Sequence, residues 1–294
     1  MDLTAPGADI YRYAPERWYD LRLGTDLTDD YACIDRRFGG NVLVVGVPEG
    51  GRYIAMERLA IAALTAGDEV ACVSSDNATD PYQSSMCDWL LGSVTTTRGT
   101  RRVLRRLLVE LDRREDVFIR EGIDGALEDC PDELREGEHL TRITLHVDGL
   151  EHFFPDSSGY GNDAAYATNL RRLSTLLKHG SKYGLYVTLG VGSDELLEHQ
   201  SELLHRFRTR LFMTSPGRAV SPQISQLLFP QVSDEERETT CAVQPLNGRG
   251  YGLLGNEDSG LTALRVSVDS FNDPARVLDG TGVPKPVRWP VDEL

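Results

Sequence analysis

The sequence predicts an α/β protein with a mostly parallel sheet and helices on both faces. Short continuous apolar runs such as Val42–Val45 and Ile143–Val147 recur along the chain, the pattern of strands buried on both faces. They alternate with segments whose apolar residues repeat at helical spacing, and alternating strands and helices favour parallel pairing with crossover helices. With 294 residues and 40% hydrophobic composition, the chain can form one sizeable α/β domain with a small appendage, or two small domains.

In order, residues 1–17 carry Pro6 and Pro15 and read as a leader or linker, 18–270 as the domain, and 271–294 as a C-terminal tail. Trp18 to Ile34 alternates as a hairpin leading into the Gly39-Gly40 turn. Val42–Val45 is a strand, and the apolar residues from Ile54 to Leu64 form the helix after it. Glu69 to Ser75 and Leu91 to Thr95 are further strands. Arg98 to Arg120 is the strongest helix, with an apolar face running from Val103 to Phe118. Asp124 to Glu138 is acidic and rich in breakers, and predicts a surface loop. Arg142 to Asp148 is a strand, residues 156–163 a loop, and Ala164 to Lys182 an amphipathic helix. Gly184 to Val191 is the next buried strand, after which Gly192-Ser193-Asp194 caps a helix from Glu195. Arg210 to Thr214 is a strand and Ser221 to Phe229 a helix stopped by Pro230. Residues 247–252 turn into Leu253-Leu254, and Leu261 to Val268 alternates as a late, partly exposed strand.

The net charge of −15 argues against a surface that grips nucleic acid or an anionic membrane everywhere, while leaving room for a local basic groove. Positive charge is almost all arginine, with lysine only at 178, 182 and 285. The five cysteines lack CxxC spacing and are odd in number, which favours reduced thiols over disulfides or zinc. The six histidines form no ligand pattern. Neither a signal peptide nor a bilayer-length apolar stretch is present in the sequence, so the expected location is cytoplasmic, with any membrane attachment supplied by other segments or partners.

Two stretches carry chemistry. Gly46-Val47-Pro48-Glu49-Gly50-Gly51-Arg52-Tyr53 keeps both glycines of the phosphate-binding template G-x-x-x-x-G-K-[ST]. The template lysine reaches the β- and γ-phosphates and the next hydroxyl ligates magnesium. Arg52 keeps only the charge, Tyr53 puts its oxygen a ring's length away, and Glu49 adds a carboxylate. What survives is a backbone cradle at a helix N-terminus; the alternative is a tight strand-to-helix turn without ligand. The second stretch is the strand ending at Asp148, a candidate magnesium-side carboxylate. Gly149 stands where a catalytic glutamate would follow, and Glu151 lies two residues further on. By itself Asp148 is more commonly a strand-ending residue that caps the next turn, and its position a hundred-odd residues after a glycine-rich loop is what raises the functional reading. Opposite its apolar face, the Arg98–Arg120 helix carries Arg98, Arg101, Arg102, Arg105, Arg106, Arg113 and Arg114. The sequence predicts a solvated face paired with Glu110, Asp112, Glu115 and Asp116, with contact to DNA or an acidic partner as the alternative.

These motifs, in this order, resemble an FtsK/SpoIIIE-type P-loop motor domain, and in particular the divergent ATPase modules of the EccC proteins of type VII secretion. The resemblance covers about Trp18 to Ser270. It rests on the Gly46–Tyr53 loop, Val94-Thr95-Thr96 before the arginine-rich helix with Glu110-Leu111-Asp112-Arg113-Arg114, and the strand ending at Asp148. It continues through Lys182-Tyr183-Gly184-Leu185-Tyr186-Val187, Arg210-Leu211-Phe212 and Gly248-Arg249-Gly250.

The resemblance implies a RecA-like P-loop NTPase fold, ATP and magnesium bound between neighbouring subunits, and work as a translocase on DNA or a secreted protein. It marks Gly46, Glu49, Gly50, Gly51, Arg52, Tyr53 and Asp148 as nucleotide-binding, with Asp148 also facing magnesium. Arg210, Arg249, Arg102, Arg105 and Arg106 become contacts to a neighbouring subunit or partner. The same resemblance shows what is missing: the lysine, the hydroxyl, the catalytic glutamate, and the polar sensor that Gly190-Val191-Gly192 replaces. Hydrolysis is therefore not expected. Three readings follow. The favoured one is an impaired module that binds nucleotide, associates with related ATPase modules, and recruits a protein substrate or regulates an active partner. The others are an empty scaffold, with Arg52 in the phosphate's place or paired with Glu49 or Asp148, and a DNA-translocase subunit.

Overall fold

Four aliphatic residues followed by glycine, Val42–Gly46, make strand β3, buried throughout because it has neighbours on both sides. The computed structural model describes residues 12–26, 30–38, 40–47, 50–74, 85–154, 163–193, 196, 204–214, 221–242, 250–256, 260–266 and 274–290. They fall into two compact units, Met1–Ala66 with Thr188–Val283, and Gly67–Val187 with Pro284–Leu294.

In the first unit, β1 (Asp20–Asp26) and β2 (Tyr31–Asp35) form the predicted hairpin. Helix α1 (Arg52–Thr65) follows β3, and β7 (Leu185–Gly192), which begins in the second unit, enters beside it. Then come β8 (Thr209–Met213), α5 (Pro222–Leu228), α6 (Asp234–Ala242), β9 (Tyr251–Asn256), β10 (Gly260–Val266) and α7 (Pro274–Thr281). The strand order is β2-β1-β10-β9-β8-β3-β7. Strand β3 is parallel to β7 and β8, while β9, β10, β1 and β2 add an antiparallel flank. Helix α1 packs on β1, β3, β8 and β10 and is buried from Ala55 to Thr65, as its nearly all-round apolar sequence requires.

The second unit orders β6 (Ile143–Asp148), β4 (Glu69–Val73) and β5 (Leu90–Val94), all parallel. Its longest helix, α2 (Thr97–Glu121), starts where the Thr96 hydroxyl accepts from the Gly99 N–H at 3.0 Å. It stops at Gly122, whose φ of 66° allows the Ile123 N–H to return to the Phe118 carbonyl. Its buried stripe includes Val103, Leu104, Leu107, Leu111, Val117 and Phe118, packed against α4 (Asp163–His179). The predicted class holds: among the described residues the fold is mixed α/β, with ten strands, six of which make parallel pairs, and seven helices.

Several boundaries differ from expectation. Residues 124–138 are not only loop: Leu127–Asp129 is a 3-10 turn and Asp132–Gly137 is helix α3. Acidic Asp132 and Glu133 suit the first turn of α3, and buried Leu127 anchors the stretch. The leader is tied down where the Ala14 N–H reaches the Thr65 carbonyl at 2.8 Å. The tail contains α7, which buries Val277 and Leu278, and then a segment whose Trp289 N–H donates to the Leu91 carbonyl at 2.7 Å. Helix α6 has too few apolar residues for periodicity to reveal. The helix expected from Glu195, the 156–163 loop and the 247–249 turn lie wholly or mostly outside the described residues.

Candidate functional site

The glycine loop sits in the first unit at the carboxyl ends of β3, β7 and β8, where Gly46 pairs with Gly192 on one side and Met213 on the other. Parallel sheets bind ligands at this end. A β-carbon on Gly46 would lie 2.5 Å from the Arg52 Cβ, and one on Gly50 would lie 2.8 Å from the Met213 carbonyl oxygen. Gly51, at φ +89°, caps α1, and a β-carbon there would lie 3.3 Å from the Gly250 nitrogen. Three backbone bonds hold the turn: Gly50 N–H to the Val47 carbonyl at 2.9 Å, Val47 N–H to the Met213 carbonyl at 3.3 Å, and Ala55 N–H to the Gly51 carbonyl at 3.1 Å. The chain doubles back too tightly for side chains at these positions, which is why the motif spacing shows in the sequence.

Half-buried Arg52 and Tyr53 are the first two residues of α1, a 14-residue helix whose dipole favours an anion at that end. Gly192 brings no side chain to the neighbouring strand tip, and the next polar residue is buried Ser193. Glu49 lies outside the described residues.

Asp148 ends β6 in the second unit and is half-buried. Gly149 follows at φ +100°, where a β-carbon would collide with Glu151 Oε2. The Glu151 carboxylate lies against the Gly149 backbone, whereas a glutamate at 149 would carry its carboxyl two carbons further out.

This loop is pinned by residues that sequence reasoning missed. Buried His152 donates from Nε2 to the Ser74 carbonyl at 2.8 Å, and its Nδ1 lies 3.4 Å from the Thr97 hydroxyl. Fully buried Asn169 donates to the carbonyls of His152 at 2.9 Å and Thr97 at 3.3 Å. These partners are up to 78 residues apart, and no local pattern announces them.

The arginines divide sharply. In the first unit Arg210, only 6% exposed, gives its guanidinium to three carbonyls: Phe207 at 2.9 Å, Leu228 at 2.6 Å and Leu204 at 3.1 Å. These bonds turn its guanidinium toward the interior of that unit. Arg249 lies outside the described residues. On α2, Arg114 is 1% exposed and donates to Glu110 Oε1 at 2.6 Å and to the carbonyls of Tyr183 at 2.7 Å and Thr141 at 2.6 Å. Arg113 shares Glu110, and Arg120 pairs with Glu121 and Glu138. Arg98, Arg101, Arg102 and Arg105 make no side-chain hydrogen bond or ion pair among the described residues. Of the four expected acidic partners, Glu110 pairs with Arg113 and Arg114, while Asp112, Glu115 and Asp116 form no ion pair among the described residues.

Burial pulls the Glu110 carboxyl up, but hydrogen bonds and charge from Arg113 and Arg114 outweigh it and hold the carboxyl below its usual range. Burial raises Glu69, with Arg114 opposing.

A glycine-lined turn opening onto a helix N-terminus fits a phosphate. By residue type, Tyr53 stands in the first unit where the template has a short-stemmed hydroxyl, and in the second unit glycine, not a carboxylate, follows Asp148. Among the described residues no group of three or more His, Cys, Asp or Glu side chains is placed to hold a metal, and no helix is long and apolar enough to cross a membrane.

The sequence matches no family model and no curated protein. Solved structures do match. One is the pCW3 conjugation coupling protein TcpA, monomer form with ATPγS, at TM-score 0.67 and 16% identity over 95% of this chain and 75% of that one. Another is the cytoplasmic domain of the Thermomonospora curvata type VII secretion ATPase EccC, at TM-score 0.67 and 14% identity over 95% of this chain and 34% of that one. A third is Thermomonospora curvata EccC (ATPases 2 and 3) in complex with a signal sequence peptide, at TM-score 0.63 and 19% identity over 92% of this chain and 50% of that one. The chain spans a third to a half of these EccC chains. At such identities the likeness is one of architecture, and the chain has the fold of FtsK/SpoIIIE-type P-loop ATPase domains.

Proposed function

We propose that this chain is a nucleotide-binding but hydrolysis-impaired motor module that recruits a protein substrate or regulates an active ATPase, working on the cytoplasmic side with related modules. One observation supports the reading: Gly46, Gly50 and Gly51 pack closely between the end of β3 and the head of α1, while Arg52 and Tyr53 stand where the template has lysine and a hydroxyl, and Gly149 follows Asp148. ATPγS in the TcpA structure and the signal sequence peptide on EccC support nucleotide and protein, respectively, as ligands for modules of this fold.

Gly51, Arg52 and Tyr53 would hold the phosphates through backbone N–H groups and the Arg52 charge, with Gly46 and Gly50 shaping the turn beside them. A bound ATP would supply a triphosphate as an anchor and signal. Asp148 is offered as a weak magnesium-side carboxylate.

Calorimetric titration with ATP and magnesium, beside an Arg52→Ala variant, tests the proposal. Micromolar binding that weakens in the variant, without turnover, is expected. No heat at millimolar ATP would favour the second reading, an empty scaffold, to which the half-buried Arg52 at the head of α1 lends itself. Strongly salt-dependent binding of duplex DNA would favour a translocase subunit.

A further inference from the structure

A cavity of about 640 Å³ lies in the second unit against one face of α2. Its walls include five arginines, three glutamates and Trp289. Two of the arginines are matched: Arg113 and Arg114 share Glu110 at 2.7 and 2.6 Å, and Arg113 also approaches Glu138 at 3.8 Å. Arg106 stacks over the Trp289 ring, 5.0 Å from its centroid. Arg102 and Arg105, one helical turn apart and so about 5–6 Å between β-carbons, have no carboxylate partner among the described residues. The chain carries 46 acidic residues, and none of those described is placed against these two. Beside them Val109 is 63% exposed.

This combination selects among anionic partners. Duplex DNA would bring a dense row of phosphates against walls that also hold Glu69, Glu110 and Glu138, and the recess is too small for a double helix. Carboxylates suit the guanidinium fork one for one, and an aliphatic neighbour would cover Val109 and the edge of Trp289. We propose that this cleft docks an acidic segment of a partner protein, two carboxylates on Arg102 and Arg105 and an adjacent aliphatic side chain against Val109 and Trp289. The proposal is independent of whether the glycine loop holds nucleotide.

Fluorescence anisotropy with a fluorescein-labelled Glu-Glu-Leu-Asp-Glu-Leu peptide tests it, with the Gln-Gln-Leu-Asn-Gln-Leu peptide as the neutral control. Binding should weaken about tenfold or more in the Arg102→Ala/Arg105→Ala double variant and with added salt, and should persist in Arg98→Ala, an exposed site on the same helix outside the cavity. The peptide should also shift tryptophan emission, and that shift should vanish in Trp289→Phe. Because Arg102 and Arg105 make no side-chain hydrogen bond or ion pair among the described residues, the variants should keep the wild-type circular dichroism spectrum. Equal binding of the neutral peptide, undiminished binding by the double variant, or no binding at about 1 mM peptide would each overturn the proposal. Displacement of the peptide by a 20-base-pair duplex at lower concentration would also overturn it and assign the cleft to nucleic acid.

Discussion

Arg113 and Arg114 are adjacent, chemically identical and bonded to the same carboxylate, yet their removal should have very different effects. Arg114 is 1% exposed, and besides Glu110 it satisfies two carbonyls, Tyr183 at 2.7 Å and Thr141 at 2.6 Å. Arg114→Met keeps the apolar stem but leaves both carbonyls without a donor, at about 1–3 kcal/mol each. Glu110 keeps Arg113, through Nε at 2.8 Å and Nη2 at 2.7 Å, so the carboxylate is not stranded and adds little. The expected loss is about 2–5 kcal/mol, in the range of broken buried pairs. Arg113→Met removes a pair whose arginine is 39% exposed and a bond from Nη1 to the Glu138 carbonyl at 3.0 Å, both partly open to water, and should cost about 1 kcal/mol. Urea unfolding at pH 7, followed by far-ultraviolet circular dichroism, measures both. If the two variants lose equal stability, or Arg114→Met loses less than about 1 kcal/mol, burial is not what separates these residues.

Gly46→Ala places a β-carbon 2.5 Å from the Arg52 Cβ, and since neither carbon can rotate away it should cost about 1–3 kcal/mol; Gly137→Ala meets nothing within 4 Å and should stabilise by about 0.5–1 kcal/mol, both read by thermal unfolding. Cys33 is exposed as a residue, but local burial of its sulfur and the Asp20 carboxylate push its pKa up to about 12, so it should react slowly with Ellman's reagent at pH 8, and faster in Asp20→Asn. Glu110, held low in the fold, contributes stability above the unfolded value of about 4.3 and loses it as pH falls through its lower folded value, so the acid loss of stability should be shallower in Glu110→Gln. Glu69 has the opposite sign: burial raises it, so its ionisation costs stability as pH rises through its folded value, and Glu69→Gln should be neutral or stabilising at pH 7 by urea midpoint.

Strands β3, β4, β6, β7 and β8, the long helix α2, and the glycine loop between β3 and α1 are legible from local sequence. Each is a local matter: an apolar run buried on both faces, a 3.6-residue stripe, or a turn too tight for a β-carbon at Gly46 or Gly50. Absent chemistry was legible for the same reason, since a missing lysine, hydroxyl and glutamate are read position by position. Which arginine is buried depends on groups that folding brings together from distant parts of the chain. Arg113 and Arg114 look alike in sequence, and Arg210 reads as a surface contact until Phe207, Leu228 and Leu204 close their carbonyls around it. His152 and Asn169 gained their partners in the same way, and Trp289 came to share a wall with Arg106, 183 positions earlier in the chain (289 − 106). Periodicity and turn chemistry act over a few residues. Whether a charge is enclosed, paired or left facing a recess depends on what the topology brings from far along the chain.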